Sequence, residues 1–465
     1  MTTTKTSPQA KRSGLPNKQR LTTPRVLRTG LYVIWGASVL LLIATISGVQ
    51  KQRYAIKTVG KDSAPSIIVA QRLKDSLAGM DANAVNELLV KPGQNPRAIQ
   101  DYEERRKAFA ERIIVAAQNI TYGDAELQPI RKMQLAQGEY IAKIQQARDF
   151  NERGDANGVL VAYRQAAAIM DNTLLPAADE LDAVNSTELE RTYNQQRFAT
   201  VQALFFVIIS SLLLLGVLVA LQLFLNYRMR RILNPMLLAA TAIAIIFLGY
   251  TINAFLEASY QLKVAKEDAF ASLHAIRQAR ALGYGVNADQ GRYLLDGADA
   301  TKYQQAFLDK AAKMVKIPAS QTFETVAAAS AQGLKVEGLT GYMALELNNI
   351  TFPGEREAAV QSLSTFVSYL MIDKQIRQLQ QSGRHQEAIA LSTGYNPGQS
   401  NWAFGEFKKA NQNTFDLNQK AFDKAIAQGF REVNGFEITT PIVVVLICVL
   451  TLLGLLPRLK EYDRS

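Results

Sequence analysis

The sequence predicts an all-α membrane protein with four transmembrane helices and two extracytoplasmic antiparallel helical bundles, related by internal duplication. Three observations predict this. Apolar residues make up 48% of the chain, yet they gather into four stretches without a single charge. The formal net charge of +11 lies wholly in three short segments. Elsewhere apolar residues recur at helical spacing, and the alternation typical of strands is scarce. The single cysteine excludes an intrachain disulfide, and two histidines exclude a histidine-rich metal cluster.

The charge-free stretches are Thr29–Gln50, Phe198–Tyr227, Ile232–Leu256 and Ile438–Pro457. Each reaches the roughly 20 helical residues that a hydrocarbon core requires. Residues 1–28 hold seven Lys/Arg and no acid, and Asn226–Pro235 hold Arg228, Arg230 and Arg231. The tail after Pro457 holds three basic and two acidic residues. The long segments are balanced, with 20 of each sign in 51–197 and 19 of each in 257–437. Four crossings place the three basic segments on one side, and basic residues are retained in the cytoplasm.

The expected order is therefore a basic cytoplasmic tail (1–28), a first span (29–50), an outside bundle (51–197) and a second span (198–227). A cytoplasmic loop (228–234), a third span (235–256), a second outside bundle (257–437), a fourth span (438–457) and a cytoplasmic tail (458–465) follow. The first span reads as an uncleaved anchor, because its apolar run exceeds a signal-peptide core. A membrane with both termini on its cytoplasmic side is the expected setting. The basic balance reports topology, so the expected partner is the lipid bilayer and no nucleic acid.

In the first outside segment Ala70, Leu73, Leu77, Met80, Ala84 and Leu88 share one helical face. Lys91–Pro96 breaks it. Runs follow at Ala98–Gln118, Asp124–Glu152 and Asp155–Tyr227, with turns at Tyr122–Asp124 and Asn151–Asp155. The second segment reads as runs at Leu256–Leu295, Ala300–Lys316, Gly354–Ser382 and Asn401–Gly435. The first and last helices of each bundle are expected to run into the membrane spans.

The span–segment–span pattern occurs twice, and a local match supports a repeat. Met80–Leu89 aligns with Val286–Leu295 at a constant offset of 206. Ala82/Ala288 and the Leu88-Leu89/Leu294-Leu295 pairs are identical, while Asp81/Asn287 and Asn83/Asp289 are close exchanges. The second segment is longer, with the extra residues placed around Pro318–Pro353.

Catalytic signatures are lacking: there is no GxxxxGK[ST], HExxH or GxSxG and no paired-cysteine spacing. The expectation is a non-enzymatic chain without cofactor or metal. The spans carry no charge, which argues against a solute pathway. The candidate ligand-binding residues are the polar positions of the repeated motif: Asp81 and Asn83 in the first copy, and Asn287, Asp289 and Arg292 in the second. Their plainer reading is solvation of a helix face or bonding between helices. If they bind ligand, Arg292→Ala is expected to weaken binding and leave the fold intact.

Ser63-Ala-Pro-Ser-Ile67, Gly79-Met-Asp-Ala-Asn83 and Asn287–Asp296 on helices next to spans resemble the extracytoplasmic four-helix-bundle sensor domains of bacterial chemoreceptors and histidine kinases. Phe352–Arg356 and Ser400–Phe404 look like further marks of such membrane-anchored proteins. The resemblance implies a receptor-like sensory protein, and it suggests a homodimer. Those receptors follow their second span with a long output region; here about ten residues follow the second span and eight the fourth. Any signal would therefore pass to a separate membrane or cytoplasmic partner. The alternative is a scaffold holding an extracytoplasmic complex.

Overall fold

The computed structural model describes residues 23–229 and 233–463. The basic tail before Thr23, the loop residues Arg230, Arg231 and Ile232, and the last two residues lie outside the described residues. Fifteen α-helices run in chain order among the described residues, with no strand. They are α1 Thr23–Lys57, α2 Ala64–Leu88, α3 Pro96–Gln118, α4 Asp124–Glu152, α5 Ala156–Ile169, α6 Leu175–Met229 and α7 Pro235–Lys263. After these come α8 Ala271–Leu295, α9 Ala300–Met314, α10 Phe323–Ala331, α11 Tyr342–Asn348 and α12 Glu355–Gln381. The last three are α13 His385–Thr393, α14 Ser400–Glu432 and α15 Phe436–Asp463. One isolated bridge joins Lys316 to Thr340.

Local chemistry sets the helix ends. Asn95 caps α3 by accepting from the Ala98 amide at 3.2 Å, with Pro96 at the first helical position, where its missing N–H costs nothing. Asp155 caps α5 through the Gly158 amide at 2.9 Å. Thr322 and Thr325 form a reciprocal cap on α10. Gly435, at φ 85°, ends the turn between α14 and α15.

Three π-helical turns, Thr58–Ser63, Met170–Leu174 and Val264–Phe270, join α1 to α2, α5 to α6 and α7 to α8. The run expected over Asp155–Tyr227 is thus two helices and a π-turn. α10, α11 and α13 were not expected from the sequence.

The chain divides into two units. One comprises residues 1–49, 201–253 and 435–465. It holds most of the charge-free stretches, and the four helices that pass through it are long and apolar enough to cross a membrane. Ile34, Leu41, Leu214, Leu218, Ala240, Ala244 and Ile447 are buried among its helices. Ile43, Phe205, Ile246 and Val445 point outward, as suits an apolar solvent. Tyr250 stacks on Phe436 at 5.0 Å between ring centroids.

The other unit comprises residues 50–200 and 254–434. The two segments read from the sequence as separate bundles pack here into one body with two hydrophobic cores. The first core gathers Leu73, Leu77 and Met80 of α2 with Phe109, Met133, Tyr140, Ile144, Tyr163 and Leu181. The second gathers Tyr284, Phe307, Met314, Leu363, Phe366, Tyr369, Phe404 and Phe407. Ala78, Ala82 and Leu89 of α2 belong to this second core, so α2 serves both. The opposed pair α2 and α8 forms the seam between the segments.

Candidate functional site

The polar residues of the repeated motif sit on that seam. α2 and α8 approach closely because Gly291 faces Val85: a Cβ on Gly291 would lie 2.7 Å from Val85 Cγ1. Beside this contact Arg292, 2% exposed, donates from Nη2 to Asp81 Oδ2 at 2.6 Å. Its Nη1 donates to Asp171 Oδ2 at 2.9 Å and to Asp289 Oδ1 at 3.0 Å, and its Nε to the Tyr163 hydroxyl at 3.1 Å. Lys310 donates to the other Asp289 oxygen at 2.6 Å. Tyr163 also donates to Asp81 Oδ1 at 3.3 Å.

Burial raises the Asp81 and Asp289 carboxyls above their ordinary range, against the pull of Arg292 on both and of Lys310 on Asp289. Burial opposes the Arg292 charge too, but Asp81, Tyr163, Asp171 and Asp289 together hold it firmly protonated.

Asn287 lies on the same seam in a separate network. It accepts from Asn86 Nδ2 at 3.0 Å and donates to Asn401 Oδ1 at 3.4 Å, while Asn401 donates to Asn86 Oδ1 at 3.4 Å. Gln290 donates to Asp373 at 2.9 Å and accepts from Ser400 at 2.6 Å. Asn83 stands apart: it is half-buried and donates to the Gly79 carbonyl of its own helix at 2.8 Å.

The structure therefore brings Asp81, Asp289 and Arg292 into one cluster, places Asn287 beside it, and leaves Asn83 out. It adds Asp171, Tyr163, Lys310 and Asn86. Chemically, the cluster is a charged clasp whose guanidinium donors are all directed at protein groups. Arg292→Ala would leave Asp81 buried without its main counter-charge and Asp289 with Lys310 alone, so a loss of stability is expected from this substitution.

Another buried carboxyl belongs to the second core. Glu346 lines a small cavity with Tyr342, Ser362, Asn411 and Thr414, and accepts from Asn418 at 3.2 Å. Burial, and then Glu355 nearby, push it up to about 8. Among the described residues no group of three or more His, Cys, Asp or Glu is placed to hold a metal ion.

Comparison with known proteins gives one likeness. Residues 55–194 match the family model described as an actinobacterial sensor domain. No curated protein and no solved structure matches the chain. The first segment, from the end of α1 to the middle of α6, is thus similar to a sensor domain.

Proposed function

We propose that this chain is a membrane receptor-like sensory protein whose larger helical unit lies outside a bacterial plasma membrane and whose output is carried by a separate partner. The observation that carries the reading is the position of the sensor-like segment. It ends at residue 194, inside α6, a single helix of 55 residues that continues through the charge-free stretch at 198–227. A ligand-driven shift of about 1–2 Å along such a helix is an established way of moving a signal. The charge distribution supports the orientation. No catalytic signature competes with a binding role.

We read the second segment as a second copy of the first. The π-turns at Thr58–Ser63 and Val264–Phe270 start 206 positions apart, and α2 and α8 each have 25 residues. At the same offset the pair Asp81–Arg292 corresponds to the pair Asn287–Asn86, and each is hydrogen-bonded. Glu126 accepts from the Thr121 and Tyr122 amides, and Glu355 accepts from those of Thr351 and Phe352. Arg148 covers the Tyr102 ring and Arg377 the Phe307 ring, both at 4.6 Å.

The test is thermal unfolding of the full chain in lipid nanodiscs against amino acids, organic acids and sugars. A ligand of the native state must raise its apparent stability by mass action. Stabilisation by one chemical class supports the receptor. No stabilisation of a well-folded protein favours the scaffold reading.

A further inference from the structure

Arg292 has three carboxylates around it. The arginines at the other end of the α2–α8 seam share one. Asp75 of α2 is 2% exposed, and Arg105 Nη1 of α3 and Arg280 Nε of α8 each lie 3.3 Å from its carboxylate. Arg112 donates to the Arg72 carbonyl at 3.0 Å and to the Ser76 hydroxyl. Arg105 donates from Nη2 to the Tyr284 hydroxyl at 2.6 Å, and Arg280 from Nη1 to Gln412 at 2.8 Å.

Arg277, one helical turn before Arg280, is 5% exposed, and its guanidinium lies 3.8 Å from the centre of the Phe415 ring. Its buried Nε has no hydrogen-bond partner among the described residues. Burial, and the like charges of Arg280, Arg72 and Arg112, hold Arg277 down to about 9 despite Asp75. Arg72 is exposed, and Arg105, Arg112 and Arg280 are half-buried, so solvent reaches the cluster.

Four guanidinium groups around one carboxylate, with the charge of Arg72 close to Arg277 and Arg112, leave an excess of positive charge in partly desolvated surroundings, where bidentate recognition of oxyanions is favoured. We propose that Arg72, Arg105, Arg112, Arg277 and Arg280 form a binding site for a small oxyanion with two or more negative charges, of the polycarboxylate or phosphate class. The anion supplies the counter-charge that Asp75 alone does not. Because α2, α3 and α8 all contribute, occupancy ties the two segments together. Anion binding stands by itself; calling the anion the sensed ligand rests on the sensory reading above.

The test is calorimetric titration of the full chain in nanodiscs, in chloride buffer, with citrate and with inorganic phosphate. The expected result is saturable binding of at least one, weakened ten-fold or more by Arg277→Gln and by Arg105→Gln, and weakened by added salt. Citrate alone identifies a carboxylate ligand, and phosphate alone a phosphate ligand. Arg277→Gln removes a desolvated charge, and Arg105→Gln acts nearer the surface, so at least one variant is expected to fold. No saturable binding of either anion to folded protein, or unchanged affinity in both variants, would overturn the site. Binding without any change in a distance between spin labels on α3 and α6 would instead count against the sensory reading.

Discussion

Arg292 shows how a polar residue acts once a helix is buried on every side. Its worth lies in what its removal exposes, since buried Asp81 loses its main counter-charge and Asp289 keeps only Lys310. Arg292→Ala is therefore expected to destabilise the protein by about 3–5 kcal/mol, read by denaturant unfolding. A loss below 1 kcal/mol would contradict the clasp. Glu346 gives a pH signature. Its folded form keeps a proton up to about 8, whereas the unfolded value is 4.5. The folded state thus binds more protons between those values, and stability falls as pH rises from 4.5 to 8. Glu346→Gln should flatten that fall and raise the melting temperature at pH 8.

Much of this site was legible at the residue scale. Asp81 and Arg292 stand out as charges beside apolar helical faces. Asn83 did not join because residues two apart on a helix point to different sides. Asp171 and Tyr163 were not legible, since only the packing of α5 and the following π-turn against α2 and α8 brings them to Arg292.

The seam between α2 and α8 depends on a small residue at its closest approach. Gly291→Ala places a methyl group 2.7 Å from Val85 Cγ1. Overpacking of this kind costs about 1–3 kcal/mol. The double variant Gly291→Ala with Val85→Ala should recover part of the loss, and thermal melts of the three variants test the point. The long helices could be read from apolar spacing, capping residues and the loop at Lys91–Pro96.

The π-turns could not, because one extra residue per turn disturbs the 3.6 period that reveals a helix. α10, α11 and α13 have nine, seven and nine residues, too short for periodicity to show. Gly341, before α11, has φ 103°, and a Cβ there would meet the Met314 carbonyl oxygen at 2.7 Å. That position admits glycine alone.

At the scale of the whole molecule, the four charge-free stretches and the helical class were plain in the sequence. The joining of two cores into one unit was not, because it rests on interlocked side chains far apart in the chain. One consequence is that the two long segments are poor units in isolation. Residues 51–197 alone lose Arg292 from Asp81 and expose Ala78 and Ala82, so this fragment should melt below the full chain.

An outward-facing sensory unit is the central proposal, and cysteine accessibility in intact cells tests it directly. With Cys448 replaced by serine, single cysteines at the exposed positions Lys107, Lys335 and Lys460 are treated with a membrane-impermeant thiol reagent. Labelling is expected at Lys107 and Lys335 in intact cells, and at Lys460 only after permeabilisation. Labelling of Lys460 alone in intact cells would place the helical unit in the cytoplasm and contradict the account.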